Sequence, residues 1–117
     1  MGKYMAFIIL AAVTFTLTRC SSSKKTAGTA TAAKTTYTAN LSTLIMSYCT
    51  PCHVPSKGGN KRPYDNYENA RTDIDEMIRR IELNPGERGF MPFKREKLSD
   101  SVINAFKQWK ADGLLEK

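Results

Sequence analysis

Two cysteines and the only histidine of the chain stand together in the stretch Cys49-Thr50-Pro51-Cys52-His53. Thiols at this spacing lie about one helical turn apart, so both can add to the two vinyl groups of a single haem. The imidazole of the next residue can then bind the haem iron. The C-x-x-C-H order therefore predicts one covalently attached haem c, with Cys49 and Cys52 as the thioether cysteines and His53 as an iron ligand.

The same two cysteines have a second interpretation. A C-x-x-C pair without haem occurs in thiol-redox modules and in half of a zinc site. The chain lacks the βαβ pattern of a thioredoxin-like fold and the fourth ligand of a zinc site. A haem-free thiol-redox module therefore stays as an alternative hypothesis, and haem content would decide between the two.

Met91 lies in a segment that reads as an ordered loop, between Gly86 and Phe93. The glycines allow tight turns, and Pro92 pushes Met91 towards an extended conformation. That conformation suits a thioether pointed at a partner, so Met91 is the predicted second iron ligand. By itself, a methionine in a loop more often fills a gap in the core. If Met91 binds weakly, the alternative is a gas-binding sensor or a peroxidase-like domain.

Three amphipathic segments would position these residues. The first apolar pattern covers residues 41–48, runs into Cys49, and has Asn40 or Ser42 as its N-cap. The second helix is predicted over residues 68–83, and the third starts from an N-cap at Ser99. The sequence therefore predicts an all-α domain with three main helices.

The N-terminal third has a different character. Residues 1–19 have a basic start and an apolar run, as a secretory signal does, although an uncleaved leader could act as an anchor. The following Cys20 is the predicted lipidation site, because Leu17-Thr18-Arg19-Cys20 resembles a bacterial lipoprotein signal. It departs from that pattern at Arg19, where a small residue is usual. The alternative is an incidental thiol. Residues 20–39 read as a Ser/Thr/Ala/Lys-rich tether, which leaves residues 40–117 as the haem domain.

Charge argues against a nucleic-acid partner. The chain carries a net charge of +7, from 18 Lys and Arg against 11 Asp and Glu. Five bases and no acid precede Asn40, so residues 40–117 hold 18 − 5 = 13 bases against all 11 acids. The domain itself is only +2, and two haem propionates would bring it near neutrality.

Taken together, Cys49-x-x-Cys52-His53, Gly89-Phe90-Met91-Pro92 and the final helix with Phe106 and Trp109 resemble a small single-haem bacterial cytochrome c domain of class I type. The resemblance covers residues 40–117. It implies a helical fold wrapped around haem c, with His53 as proximal and Met91 as distal iron ligand. It also implies that the carbonyl of Pro63 or Pro55 accepts the imidazole N–H of His53, and that Phe90 and Phe93 screen the methionine side.

The expected function follows from this ligand set. With His and Met both bound, the iron has no open position, so the sequence predicts a one-electron carrier and not an enzyme. Its expected partners are redox proteins such as an oxidase or dehydrogenase subunit, the haem-attachment machinery, and a bacterial membrane at its periplasmic face. Six basic residues could form a docking rim for an acidic partner, although ordinary surface charge is the simpler interpretation of each: Lys57, Lys61, Arg62, Lys94, Arg95 and Lys97. Without haem, we expect a cavity lined by Met91, Ile78, Phe90 and Trp109.

Overall fold

The computed structural model describes residues 33–117. The predicted signal segment, Cys20 and most of the predicted tether lie outside the described residues. The helices are α1 (Ser42–Tyr48), α2 (Tyr67–Glu82) and α3 (Asp100–Ala111), with a π-helical turn at Tyr37–Leu41 and a 3-10 turn at Pro55–Lys57. Residues 33–117 contain no strand beyond one isolated bridge, so the prediction of an all-α fold is confirmed.

The helical structure begins earlier than the predicted boundary at Asn40. The N-cap is Thr36, whose Oγ1 accepts a hydrogen bond from the amide of Ala39 at 3.2 Å. Asn40 reaches back, and its Oδ1 accepts from the amide of Thr36 at 2.9 Å. Each side chain thus satisfies an amide that has no partner within the helix. The predicted cap at Asn40 or Ser42 is wrong because Thr36 holds the cap position.

The two ends of this folded unit are paired. The Tyr37 amide donates to the Leu115 carbonyl at 2.8 Å, and the Thr38 amide donates to the Glu116 carbonyl at 2.9 Å. Tyr37 itself is buried in the core. Residues 36–39, the end of the predicted tether, therefore pack as part of the domain.

The longest helix, α2, follows its sequence pattern closely. The side chain of Asn66 caps it by accepting from the Asn69 amide at 3.0 Å. Its apolar stripe faces inward and includes Ala70, Ile74, Met77 and Ile81. The opposite face carries the charged residues. This helix supplies one wall of the site described below.

The last helix, α3, begins after Ser99 as predicted, although the Ser99 hydroxyl makes no capping bond to the helix. Its inner face buries Ile103, Phe106 and Trp109. Beyond its end, Gly113 adopts a positive φ of 97°, which reverses the chain so that the Leu114 amide reaches the Trp109 carbonyl at 3.0 Å.

The core joins all three helices. Trp109 is fully buried and donates its indole N–H to the Leu115 carbonyl at 2.8 Å. The rings of Tyr37 and Tyr67 lie 5.9 Å and 6.3 Å from the Trp109 ring. This aromatic cluster packs Tyr37, near the start of the described residues, and Tyr67 of α2 against α3.

Candidate haem site

A cavity of about 790 Å³ opens beside α2, and all four predicted haem-binding residues line it. Cys49, Cys52 and His53 contribute from one side of the sequence, and Met91 contributes from a loop far downstream. The volume lies within the range of about 300–1,000 Å³ that is usual for cofactor pockets. The fold therefore brings together residues that sequence reasoning had joined only by their chemistry.

The walls of the cavity are mainly apolar, and charged groups also line it. The apolar and aromatic lining comprises Tyr48, Pro51, Tyr64, Met77, Ile81, Pro92, Phe93, Leu98 and Phe106. The charged lining comprises Lys61, Arg62, Asp73, Glu76, Arg80 and Arg95. Apolar walls with a few charged groups fit a flat, hydrophobic group that carries carboxylates.

His53 is held in a defined tautomer. Its Nδ1 lies 2.7 Å from the backbone carbonyl oxygen of Arg62. A carbonyl can only accept, so Nδ1 carries a proton, and in the neutral imidazole Nε2 is then the nitrogen with the lone pair. This is the arrangement in which a metal-binding histidine donates its second N–H to a backbone carbonyl. The donor chemistry of His53 therefore fits an iron ligand through Nε2.

Tyr64 supports the imidazole from one face. The two rings are stacked, with centroids 4.6 Å apart and an angle of 12° between their planes. Tyr64 is buried, and its amide donates to the His53 carbonyl at 2.9 Å. Burial raises the pKa of the Tyr64 phenol to about 12, and the Asp73 carboxylate adds to the increase, so the ring stays neutral at physiological pH.

The loop after His53 folds back onto the C-x-x-C-H stretch. The Lys61 amide donates to the Cys52 carbonyl at 3.0 Å. Gly59 lies against the carbonyls of Pro51 and Cys52, so close that a Cβ at this position would stand 2.6 Å from the Cys52 oxygen. Only glycine allows this approach.

The two cysteines both present free thiols, with Cys52 exposed and Cys49 partly buried. Cys49 is the C-cap of α1, where the helix dipole disfavours a negative charge. Burial raises the pKa of the Cys49 thiol to about 11, and the nearby Arg95 guanidinium offsets this in part. Reactive cysteines of thiol-redox proteins sit in the opposite environment, because their pKa is lowered.

Met91 is half-buried and packs against the hydrophobic core. Its amide donates to the Arg80 carbonyl of α2 at 3.2 Å. The preceding turn is closed by the Phe90 amide, which donates to the Glu87 carbonyl at 3.1 Å, and Gly89 takes a positive φ of 96°. These bonds place the thioether on the cavity wall, where its sulfur can act as a soft ligand.

Ion pairs surround the cavity on the α2 side. Glu76 accepts from Arg79 at 2.7 Å and from Arg80 at 2.6 Å. Hydrogen bonds from these two guanidinium groups lower the pKa of the Glu76 carboxyl to about 2. Arg95, from the loop after Met91, donates to the Thr50 carbonyl at 3.1 Å and so joins the methionine loop to the C-x-x-C-H stretch.

Two details of the expected site are corrected, the lining of the cavity and the acceptor for His53. The cavity is lined by Met91 as expected, but Ile78, Phe90 and Trp109 do not line it. Phe90 is buried elsewhere, and Trp109 belongs to the aromatic cluster with Tyr37. The acceptor for the His53 imidazole is the carbonyl of Arg62, and neither Pro63 nor Pro55 provides it.

Two other expectations concern residues around the cavity, and both stay predictions. Of the two phenylalanines expected to screen the methionine side, Phe93 does line the cavity, although it is 66% exposed. Of the six basic residues expected at a docking rim, Lys61, Arg62 and Arg95 line the cavity and Lys57, Lys94 and Lys97 do not. Lys97 instead donates to the Glu82 carbonyl and the Asn84 side chain.

Sequence reasoning did not assign a role to Tyr64, Gly59 or Asp73. Tyr64 directly follows Pro63, the residue that the resemblance had pointed to, so its position was a usable signal. Gly59 stands in a glycine pair within the loop that follows His53. Asp73 lies on the predicted second helix, and only the fold brings it to the cavity.

In comparisons with protein-family models, with curated proteins and with solved structures, nothing matches this chain. Within residues 33–117, no three His, Cys, Asp or Glu side chains are grouped so that they could hold a metal ion by themselves. No helix in the described part of the chain is long and apolar enough to cross a membrane.

Proposed function

We propose that this protein is an electron carrier, a c-type cytochrome that holds one haem between His53 and Met91. The observation that carries the proposal is the convergence of Cys49, Cys52, His53 and Met91 on the wall of one cavity. A thiol-redox pair would need only the two cysteines. The presence of an imidazole and a thioether in the lining of one cavity would be accounted for by a haem iron that both residues bind.

The chemistry of the donors supports the same conclusion. His53 has its Nδ1 proton on the Arg62 carbonyl, so Nε2 is free to bind iron. Cys49 and Cys52 are free thiols, as thioether formation requires. The raised pKa of Cys49 argues against the alternative of a haem-free thiol-redox module, which needs an accessible thiolate.

Haem c ligated by histidine and methionine supplies reversible one-electron exchange at a relatively high reduction potential. The residues of the chain would supply the surroundings of the cofactor. Met77, Ile81, Leu98 and Phe106 give the cavity apolar walls. Low polarity around a cofactor is one of the means by which a protein sets its redox potential.

A partner would dock near the open side of the cavity. Phe93 is exposed there, and Lys61, Arg62 and Arg95 line the same cavity. This combination fits a small, transient contact with an acidic redox protein such as an oxidase or dehydrogenase subunit. We also propose export to the periplasmic face of a bacterial membrane and anchoring through a lipid on Cys20.

The proposal is tested by expressing the full chain with export in a bacterium that has haem-attachment machinery. The purified protein should show low-spin spectra, titrate reversibly with one electron, and keep its spectrum under CO. Met91→Ala should lose the methionine-to-iron absorption band and gain CO binding. Wild-type protein that is high-spin and binds CO readily would overturn the carrier function in favour of a gas-binding domain. Protein with no haem at all would favour the alternative of a thiol-redox module.

The membrane part of the proposal needs a separate readout. Wild-type protein should fractionate with membranes and carry added lipid mass, and Cys20→Ser should lose that mass without losing haem. Wild-type protein that carries no added lipid mass would contradict lipidation and leave the electron-transfer proposal in place.

A further inference from the structure

One carboxylate on α2 contacts both residues that hold the His53 ring. The Nε of Arg62 forms an ion pair with Oδ2 of Asp73. The hydroxyl of Tyr64 donates to the same Oδ2 at 3.3 Å. Asp73 is partly buried and lines the cavity, whereas the other two residues come from the loop between α1 and α2.

The two loop residues act on His53 in different ways. Arg62 provides the carbonyl that accepts the Nδ1 proton at 2.7 Å, and Tyr64 stacks on the ring at 4.6 Å. The hydrogen bond to the Arg62 carbonyl sets how the imidazole is rotated within the plane of its ring. The stacked Tyr64 ring sets the orientation of that plane. Both contacts depend on where residues 62–64 lie relative to α2.

We propose that Asp73 is a positioning residue for His53. It ties residues 62 and 64 to α2 through one oxygen atom, and thereby keeps the Arg62 carbonyl and the Tyr64 ring on the imidazole. The inference rests on the proposed function, in which His53 binds iron through Nε2. Hydrogen bonds to the outer nitrogen of a ligating histidine set its orientation and its basicity, so Asp73 also influences the reduction potential.

The size of the effect follows from the exposure of the ion pair. The side chain of Arg62 is 51% exposed and that of Asp73 is 21% exposed. A pair in such a setting shifts an equilibrium by only about twofold to fivefold. Loss of Asp73 should therefore leave the fold and the haem in place and make the loop open more often.

The test uses the complete haem-loaded protein and two variants whose charge changes have opposite signs. Asp73→Asn removes a negative charge and Arg62→Gln removes a positive one, and both break the same ion pair. Neither changes the backbone carbonyl of Arg62. Glu76→Gln is the matched control, because Glu76 also lies on α2 and lines the cavity but pairs with Arg79 and Arg80.

The readout is the rate at which the Nδ1 proton of His53 exchanges with solvent, measured by NMR. Both Asp73→Asn and Arg62→Gln should exchange about twofold to fivefold faster than wild type. Glu76→Gln should exchange at the wild-type rate. A further variant, Tyr64→Phe, keeps the stacked ring and removes only the bond to Asp73, so a smaller increase is expected there.

The possible outcomes distinguish a failure of the positioning role of Asp73 from a failure of the proposed function. Wild-type exchange rates in both ion-pair variants would overturn the positioning role of Asp73. Reduction potentials that move in opposite directions in the two variants, without faster exchange, would also overturn it, because they would show a charge effect alone. Wild-type protein that carries no haem, or whose His53 does not bind iron, would instead defeat the proposed function.

Discussion

The His53 side and the Met91 side of the cavity are built in contrasting ways. Around His53, one continuous stretch of the chain supplies the two cysteines, the Arg62 carbonyl and the stacked Tyr64 ring. Around Met91, the contacts come from separate parts of the chain: its amide donates to the Arg80 carbonyl of α2, and Arg95 of the following loop donates to the Thr50 carbonyl. The next aromatic residue, Phe93, is 66% exposed, whereas Tyr64 is 9% exposed.

This difference assigns different tasks to the two sides. The contacts of the polypeptide alone orient the His53 imidazole, through a hydrogen bond, a stacked ring and a tightly folded loop. The Met91 thioether lies on the cavity wall in a half-buried side chain, and the aromatic residue that follows it, Phe93, is mostly exposed. We therefore expect the His53 side to determine whether haem is bound at all, and the Met91 side to tune the properties of the bound iron.

The largest expected effect comes from removing the two predicted iron ligands, one at a time. Under the proposed function, His53→Ala removes the ligand on the fixed side and should almost abolish the yield of haem-loaded protein. Met91→Ala should keep covalent haem and lose only the methionine-to-iron band. Absorption spectra and haem content of the two exported variants check this. Equal losses of haem in both variants would remove the proposed difference between the sides.

A second prediction compares one glycine on each side. Gly59→Ala drives a Cβ into the carbonyls of Pro51 and Cys52, which are backbone atoms that cannot move aside alone. It should lower the free energy of unfolding by about 3 kcal/mol. Gly86→Ala meets no atom within 4 Å and bears only the strain of a φ of 94°, so it should cost roughly 1–2 kcal/mol. Denaturant unfolding of the two variants measures the difference. An equal or larger loss for Gly86→Ala would contradict the close packing around Gly59.

A third prediction exchanges the aromatic residue on each side for leucine. Tyr64→Leu loses the stack on His53 and the bond to Asp73, and should destabilise the protein by about 1–3 kcal/mol. Phe93→Leu alters a mostly exposed ring and should change stability by less than about 0.5 kcal/mol. Thermal unfolding of both variants provides the measurement. A large destabilisation by Phe93→Leu would show that the Met91 side is packed more tightly than its exposure indicates.

The smallest expected effect concerns pH and the Met91 side. Glu76 pairs with Arg80, whose carbonyl accepts the Met91 amide, and hydrogen bonds from Arg79 and Arg80 lower the pKa of Glu76 from 4.5 to about 2. A carboxyl whose pKa is lowered by folding stabilises the protein above its unfolded pKa and loses that contribution as the pH falls. The melting temperature of wild type should therefore exceed that of Glu76→Gln above about pH 5, and the gap should close between pH 4.5 and 2.

A control for this titration lies in the first turn of the same helix. Glu68 faces Arg71 at 4.0 Å, and both side chains are more than half exposed. Glu68→Gln should give a smaller difference from wild type at every pH. A gap for Glu76→Gln that widens as the pH falls would contradict the sign given above.

The helical fold followed from the sequence because apolar spacing and local turn chemistry act over short distances. The stripe of Ala70, Ile74, Met77 and Ile81 identified α2, and Ser99 identified the start of α3. The start of the domain was placed too late, at Asn40. Its cap depends on Thr36, and its burial depends on pairing with residues 115–116, which no local pattern reveals.

The residues of the site also differ in how far local sequence patterns could predict them. Cys49, Cys52, His53 and Met91 could be named because their chemistry is visible in their spacing, and the fold places all four on one cavity. The residues that orient them could not be named. Arg62 contributes a backbone atom, which has no signature in side-chain type, and Asp73 reaches the loop only through the packing of α2.

The central claim is that one haem is attached through Cys49 and Cys52, and intact mass tests it most directly. The chain should be exported in a host with haem-attachment machinery, purified, and extracted with acidified organic solvent before mass spectrometry. The account predicts that wild type keeps the mass of exactly one haem after extraction, and that the double variant Cys49→Ser with Cys52→Ser keeps none. Wild-type protein at the mass of the bare polypeptide would contradict it.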